Sequence, residues 1–249
     1  MDDTLYVRDP FSFAGRVEMR PFHSEALAGN RLDDPTTREV PVYLPPGALE
    51  PGVERRFPVV FILPAFTSRP QALLETHPWK SGVVRDYDRA VQAGTAPAAI
   101  LVMPDAFTRL GGSQYVNSSF NGDYETYVGR ELVDWVDATY PTKAGRRGVC
   151  GKSSGGFGAL HLAMRMPGTF VAAASIAGDC HFEFGYASDF LNACRGLLAH
   201  DSDPRAFLEA FLEKPDLSGD GHAVLNLLAM SACYSPDDSA ELGFALPVS

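Results

Sequence analysis

From Gly15 to His23 the chain alternates Val17, Met19 and Pro21 with charged neighbours, and from Arg38 to Leu44 it does the same with Val40, Val42 and Leu44. A period of two marks half-buried strands. The turn residues Leu32-Asp33-Asp34-Pro35 between them predict an antiparallel pair, and Pro45-Pro46-Gly47 closes the second strand. The pattern then changes. Val59-Val60-Phe61-Ile62-Leu63 is an unbroken apolar run, expected of a strand covered on both faces. A loop and helices follow to Ala93, and a second apolar run, Ala98 to Met103, ends at Pro104-Asp105. From Tyr124 to Tyr140 the apolar Tyr127, Val128, Leu132, Trp135 and Val136 recur at helical spacing. Gly148-Val149-Cys150 reads as a brief strand, Ser154 to Met166 as a helix, and Val171 to Ile176 as a further strand.

Strands alternating with helices define an α/β class, with a mostly parallel sheet wound by right-handed crossovers. The antiparallel hairpin lies at its N-terminal side and helices cover both faces. Past Ile176 the pattern is helical. Phe190 to Leu198, Ala206 to Leu212 and Ala223 to Met230 are divided by turns rich in Asp, Gly and Pro, and only Phe244 to Pro247 is strand-like. The chain reads as one domain over 1–249, with a sheet core over about 1–180 and a helical insertion or cap over about 181–249.

With 45% apolar and 21% charged residues, the chain can bury a sizeable core. A formal charge of −10 and the lack of any Lys/Arg cluster argue against nucleic acid as a partner. The longest apolar runs fall far short of the ~20 residues that span a bilayer. Met1-Asp2-Asp3 opens the chain without a basic or apolar leader, so no secretory signal is expected on it and a cytoplasmic location is. Cys150, Cys180, Cys194 and Cys233 are widely spaced, which predicts free buried thiols in a reducing compartment rather than a metal site.

The chemistry concentrates between Arg147 and Gly158, which read R-G-V-C-G-K-S-S-G-G-F-G. Gly151-Lys152-Ser153-Ser154-Gly155 is a G-x-S-x-G motif with a strand before it and a helix after it, the context of a nucleophile elbow. A sharp strand-to-helix turn with strained dihedrals makes side chains two positions either side of Ser153 clash, and Gly151 and Gly155 remove them. The turn lifts the hydroxyl above the carboxyl edge of the sheet and leaves backbone N–H groups free at a helix N-terminus. A phosphate-binding loop is the competing reading, but Gly145 and Gly151 are one residue too far apart for it.

Three segments carry a resemblance: Phe61 to Ser68 (F-I-L-P-A-F-T-S), Asn117 to Tyr140, and the G-K-S-S-G-G elbow. Over roughly Arg38 to Gly178 the chain resembles the esterase branch of the α/β-hydrolases, which holds S-formylglutathione hydrolase, enterochelin esterase-like and mycolyltransferase-like proteins. The resemblance implies ester hydrolysis through an acyl-enzyme on Ser153, with a small-molecule ester as substrate and no metal or organic cofactor. It also implies two oxyanion donors, the N–H groups of Phe66 and Ser154. Where the family carries a pair such as His-Gly or Ser-Gly, this chain has Pro64-Ala65.

Serine acyl transfer needs a base at the hydroxyl and an acid to orient it, in this fold in the chain order Ser, acid, His. Only 73 residues follow Ile176, and they read as helices and turns. His161 lies about 12 Å along its helix from Ser153 and is out of reach. His181 follows the last strand, where it could line the pocket but falls in the wrong order for the base. His200 ends a helix, and His222, which begins a late one, is the best in-chain stand-in. His23 and His77 precede the elbow and read as surface or loop residues. Asp179 could serve as an acid placed one strand early, though shaping the pocket with His181 and Glu183 fits it better. The expectation is therefore a C-terminally truncated esterase with its base and acid beyond Ser249, little turnover of p-nitrophenyl acetate, and an exposed apolar edge at Val171 to Ile176 that invites homo-oligomerisation. Acyl transfer to an alcohol and a non-catalytic binding role remain alternatives. Phe66, Tyr115, Phe120, Tyr124, Phe157, Phe182 and Tyr186 are compatible with an apolar or aromatic acyl group, and equally with packing.

Overall fold

The computed structural model describes residues 13–50, 52, 54–75 and 82–247; His77 lies outside them. Strands β1 (Arg16–His23) and β2 (Thr37–Leu44) form the expected antiparallel pair, with Val17 opposite Tyr43 and Arg20 opposite Val40. Next come β3 (Phe57–Leu63), a single 3₁₀ turn (Pro70–Leu73), α1 (Val83–Gln92) and β4 (Ile100–Val102). A two-residue hairpin, β5 (Asn117–Ser118) with β6 (Gly122–Asp123), leads into a helix over 124–139. That helix comprises α2 (Tyr124–Thr126), a π-helical turn (Tyr127–Glu131) and α3 (Leu132–Thr139). Then follow β7 (Thr142–Lys152), α4 (Ser154–Arg165) and β8 (Ala172–Ile176). The rest is helical: α5 (Phe182–Gly185), α6 (Phe190–Leu197), α7 (Pro204–Glu213) and α8 (Gly221–Tyr234).

One six-stranded sheet runs in the order β1-β2-β4-β3-β7-β8. β2 is antiparallel to β4, while β4, β3, β7 and β8 run parallel. Alternation along the strands sorts side chains to two faces. Val42, Leu44, Val59, Phe61, Leu63 and Val102 meet Tyr127, Val128 and Leu132 of the 124–139 helix and Ala159 and Leu162 of α4. On the opposite face Tyr43 and Leu101 meet Val84 of α1. Val60 and Ile62 on that second face are only half-buried, so β3 is covered less evenly than its unbroken apolar run predicts.

Three boundaries differ from the sequence reading. β7 is eleven residues long rather than the brief Gly148–Cys150, because its polar first half, Lys143 to Arg146, is exposed yet still follows Phe57 paired with Thr142. β4 is shorter than Ala98 to Met103, although the Met103 N–H still donates to Pro41 O on β2. Phe244 forms an isolated bridge with Pro236 rather than a strand, and its buried ring stands edge-on to Phe120 at 5.0 Å.

The late helices share a core of their own. Leu197, Phe207, Phe211, Val224 and Leu228 pack with Leu32, Leu110 and Phe120, so the helical segment rests on the loops above the sheet. β8 forms one edge of the sheet, with all five of its residues exposed and Val171 and Ile176 at 59% and 60%. Two cysteines, Cys180 and Cys194, are exposed, against the expectation of four buried thiols. Cys180 lies just past the edge strand and Cys194 on the exposed side of α6, while Cys150 on β7 is half-buried. No helix among the described residues is long and apolar enough to cross a membrane.

Arg38 joins the hairpin to the loops that build the site. Its buried guanidinium donates to Phe107 O at 2.8 Å and to the Tyr124 hydroxyl, over whose ring it lies. Arg38→Met should leave those acceptors unpaired and cost about 1–3 kcal/mol. A urea midpoint that falls at unchanged slope checks this.

Candidate active site

β7 ends at Lys152 and α4 begins at Ser154; Ser153 between them holds φ 55° and ψ −123°. A non-glycine residue there is strained and persists only where its surroundings over-determine it. Those surroundings are explicit. The Ser153 N–H donates to Ile176 O at 2.9 Å, and Ser153 O accepts from the Phe157 N–H at 3.0 Å. A Cβ on Gly155 would stand 2.1 Å from Leu63 O, and one on Gly151 would stand 2.4 Å from the Gly155 backbone. Both glycines are therefore required by close backbone approach. Gly156 adds a third contact, since a Cβ there would lie 2.9 Å from Ser175 Oγ and 3.0 Å from Gly178 Cα.

Phe66 follows β3 on a turn closed by the Ser68 N–H donating to Ala65 O at 3.0 Å. Thr67 takes the left-handed conformation at φ 60°, whereas Ala65 keeps a negative φ, so alanine is accommodated where the family carries glycine. The Thr67 N–H donates to Gly111 O at 2.8 Å. The Phe66 ring lies on Gly111 and Gly112, where added Cβ atoms would fall 3.0 Å and 3.1 Å from it. Neither the Phe66 N–H nor the Ser154 N–H donates to any acceptor among the described residues.

Left-handed non-glycine residues cluster here. Thr67, Gln114, Tyr115, Ser153 and Ala177 all have positive φ, and each lies in a segment that borders the elbow. Tyr115 donates to Pro64 O at 2.6 Å, and its ring fills the space a Gly158 side chain would need. Gln114 is fully buried; its amide donates to the Tyr186 hydroxyl and to Met230 Sδ, each at 2.8 Å, and its carbonyl accepts from Ser154 Oγ. Gln114 escaped the sequence reading, because a single glutamine in a loop carries no periodic or motif signal.

The Ser153 hydroxyl has one side-chain partner among the described residues: it donates to Asp179, at 3.2 Å from Oδ1 and 3.4 Å from Oδ2. Burial raises the Asp179 carboxyl above the usual carboxylate range, against the hydrogen bonds from Ser153 and Gln114. The histidines lie elsewhere. His161 pairs with Glu125 at 2.6 Å and stacks on Phe157. His181 caps α5, and His200 lies edge-on to Phe207. His23 is exposed and faces Glu25. His222, exposed at the start of α8, stands edge-on to the Phe66 ring at 6.0 Å, which puts it on the rim of the site.

Of the aromatic residues singled out from sequence, Tyr115, Phe120 and Tyr124 are buried packing groups. Phe182 and Tyr186 instead line an apolar cavity of about 190 Å³ with Phe190, Met230 and Tyr234. Gln114 links the cavity wall to the elbow through Tyr186 and Met230. Among the described residues no group of His, Cys, Asp and Glu is placed to hold a metal.

A mostly parallel sheet carrying a strained serine between strand and helix is the architecture of the α/β-hydrolases. The chain belongs to the esterase family whose model, described as "Putative esterase", matches residues 31–207. It is 35% identical over 105 residues to Esterase Rv1288 of Mycobacterium tuberculosis, covering 40% of this chain and 23% of that protein. It is 28% identical over 159 residues to S-formylglutathione hydrolase of Mus musculus, covering 56% of this chain and 51% of that protein. The chain thus spans about half, or less, of the length of these relatives. Among solved structures a ferulic acid esterase superposes with a TM-score of 0.54 at 25% identity, over 67% of this chain and 59% of that one. An S-formylglutathione hydrolase from Agrobacterium tumefaciens gives 0.53 at 21%, over 69% and 61%, and shares the fold.

Gly155→Ala should break the elbow, because its new Cβ meets the Leu63 carbonyl and not a side chain that can swing away. The expected cost is about 1–3 kcal/mol, with a proportionate fall in melting temperature. The same substitution at Gly185, which has open space around it, should be silent in that measurement.

Proposed function

We propose that this chain carries the nucleophile and oxyanion-binding site of a serine carboxylic ester hydrolase acting on small-molecule esters. The observation that carries the reading is the strained Ser153, held between β7 and α4 by a bond from its own N–H to Ile176 O. Its hydroxyl attacks the ester carbonyl to form an acyl-enzyme. The free N–H groups of Phe66 and Ser154 receive the developing negative charge, which is the largest electrostatic contribution such sites make. The N-terminus of α4 adds to it, since helix N-termini favour negative charge. The cavity beside Gln114 supports an apolar acyl group.

A fluorophosphonate probe should label the chain, with the adduct mapped by mass spectrometry to Ser153, and Ser153→Ala should remove the label. Any turnover of p-nitrophenyl acetate should fall by about 10⁴ in that variant. A label on another residue, or turnover that survives Ser153→Ala, contradicts the assignment.

We also read β8 as a self-association edge. It is apolar, exposed and paired on one side only, and such an edge offers free N–H and C=O groups to a second strand. Light scattering should give a mass above the 26.9 kDa of one chain, returning to it in Ala173→Lys. A monomer at all concentrations contradicts this. The four free cysteines support a reducing, cytoplasmic setting.

A further inference from the structure

The apolar cavity is walled by Phe182, Tyr186, Phe190, Leu227, Met230 and Tyr234, and its volume is about 190 Å³. A dry apolar cavity of about 150 Å³ holds one benzene ring, so this one has room for an acyl chain of about six carbons. Its wall is close to the nucleophile: Tyr186 and Tyr234 both feel the charge of Asp179, which lies 3.2 Å from Ser153 Oγ. Ser153 itself does not line the cavity. Gln114 joins the two.

A side-chain amide offers two N–H donors and one carbonyl, and burying any of them unpaired costs free energy. Gln114, fully buried, directs its amide N–H groups to one side and its carbonyl to the other. The N–H groups donate to the Tyr186 hydroxyl and to Met230 Sδ, each at 2.8 Å and both in the cavity wall. The carbonyl accepts from Ser154 Oγ, one residue past the nucleophile. The backbone fixes this placement. Gln114 and Tyr115 are left-handed in succession, at φ 52° and 58°, held by the Thr108 hydroxyl on Gly112 O at 3.1 Å and the Tyr115 hydroxyl on Pro64 O at 2.6 Å. Such dihedrals persist in non-glycine residues only where packing over-determines them. A second link runs beside the first: Phe157, in the first turn of α4, stands edge-on to Tyr234 with ring centres 5.8 Å apart.

Resting on the reading of Ser153 as nucleophile, we propose that Gln114 is a positioning residue that joins the cavity to the oxyanion donor of Ser154, so that the site selects acyl chains of about six carbons over acetyl. Wall and donor form one unit because a single planar amide bonds to both. A chain lying against Tyr186 and Met230 therefore sets the place of its carbonyl carbon relative to the Ser154 N–H. Binding energy gathered along the chain becomes orientation at the reacting carbon, and it is expressed where the tetrahedral state forms. Gln114 acts through Ser154 and the wall, not on the ester itself.

The test uses alkylboronic acids, which form a tetrahedral adduct with a serine hydroxyl without turnover. Boron takes the place of the carbonyl carbon, so methylboronic acid stands for acetyl and pentylboronic acid for hexanoyl. Affinity for the whole chain is measured by calorimetry, and boron NMR identifies the tetrahedral form. The wild-type chain should bind the pentyl acid about tenfold or more tighter than the methyl acid, since each buried methylene contributes roughly fourfold. Gln114→Met keeps the volume and removes the amide's hydrogen bonds, and it should bring the two acids to within about threefold. Ser154→Ala keeps the N–H, removes the hydroxyl that Gln114 accepts, and should do the same. The double variant should lose nothing further, because the two residues act as one unit. Ser154→Ala is small enough to carry the test if Gln114→Met does not fold. A pentyl advantage that survives either substitution overturns the proposal, as do additive losses in the double variant or equal affinities in the wild-type chain. Those results leave Ser153 in place wherever the tetrahedral signal is present and vanishes in Ser153→Ala. A wild-type chain that gives no tetrahedral signal, or a signal that persists in Ser153→Ala, removes the nucleophile and this proposal with it.

Discussion

The site depends on how closely the first turn of α4 approaches the sheet. Gly155 presses against the carbonyl of Leu63 and Gly156 against the turn after β8, with no side chain between them. Because the helix starts that close, Ser153 must complete the reversal from strand to helix in a single residue, and it does so with a positive φ. The strain belongs to the packing of three parallel strands, β3, β7 and β8, and not to the serine. A looser approach would relieve the serine and lower the hydroxyl away from the Phe66 turn.

The same approach organises the charges. The N–H at the helix start and the one on the turn after β3 have no protein acceptor among the described residues. The Ser153 hydroxyl meets the Asp179 carboxyl, which has no ion-pair partner among the described residues. Donors without acceptors and a carboxyl without a cation among the described residues are unusual in a purely structural cluster and mark a candidate reactive site. Gln114 keeps the arrangement rigid by tying Ser154, Tyr186 and Met230 together in a fully buried position.

Much of this was legible in the sequence because two periodicities are strong. Alternation gave β1 and β2, helical spacing gave the 124–139 helix and α6 to α8, and the glycine pair around Ser153 specified the elbow. Other features were not legible, for physical reasons. The first half of β7 is exposed and falls in a register shift between Thr142, paired with Phe57, and Arg147, paired with Val59, so no alternation of apolar residues marks it. The π-helical turn at Tyr127–Glu131 leaves apolar spacing almost unchanged. The left-handed residues at Thr67, Gln114 and Ala177 are not glycines, and only the surrounding packing forces them there. Asp179 was visible as an acid near the sheet edge, but its direct bond to the nucleophile depends on the Ala177-Gly178 turn, which composition does not reveal.

The most direct measurement is a crystal structure of the chain after reaction with a fluorophosphonate. The account predicts a phosphorus atom bonded to Ser153 Oγ, with its phosphoryl oxygen within about 3.1 Å of both the Phe66 and Ser154 nitrogens, a normal hydrogen-bond distance. An adduct on another residue, or a phosphoryl oxygen turned away from those two nitrogens, would contradict it.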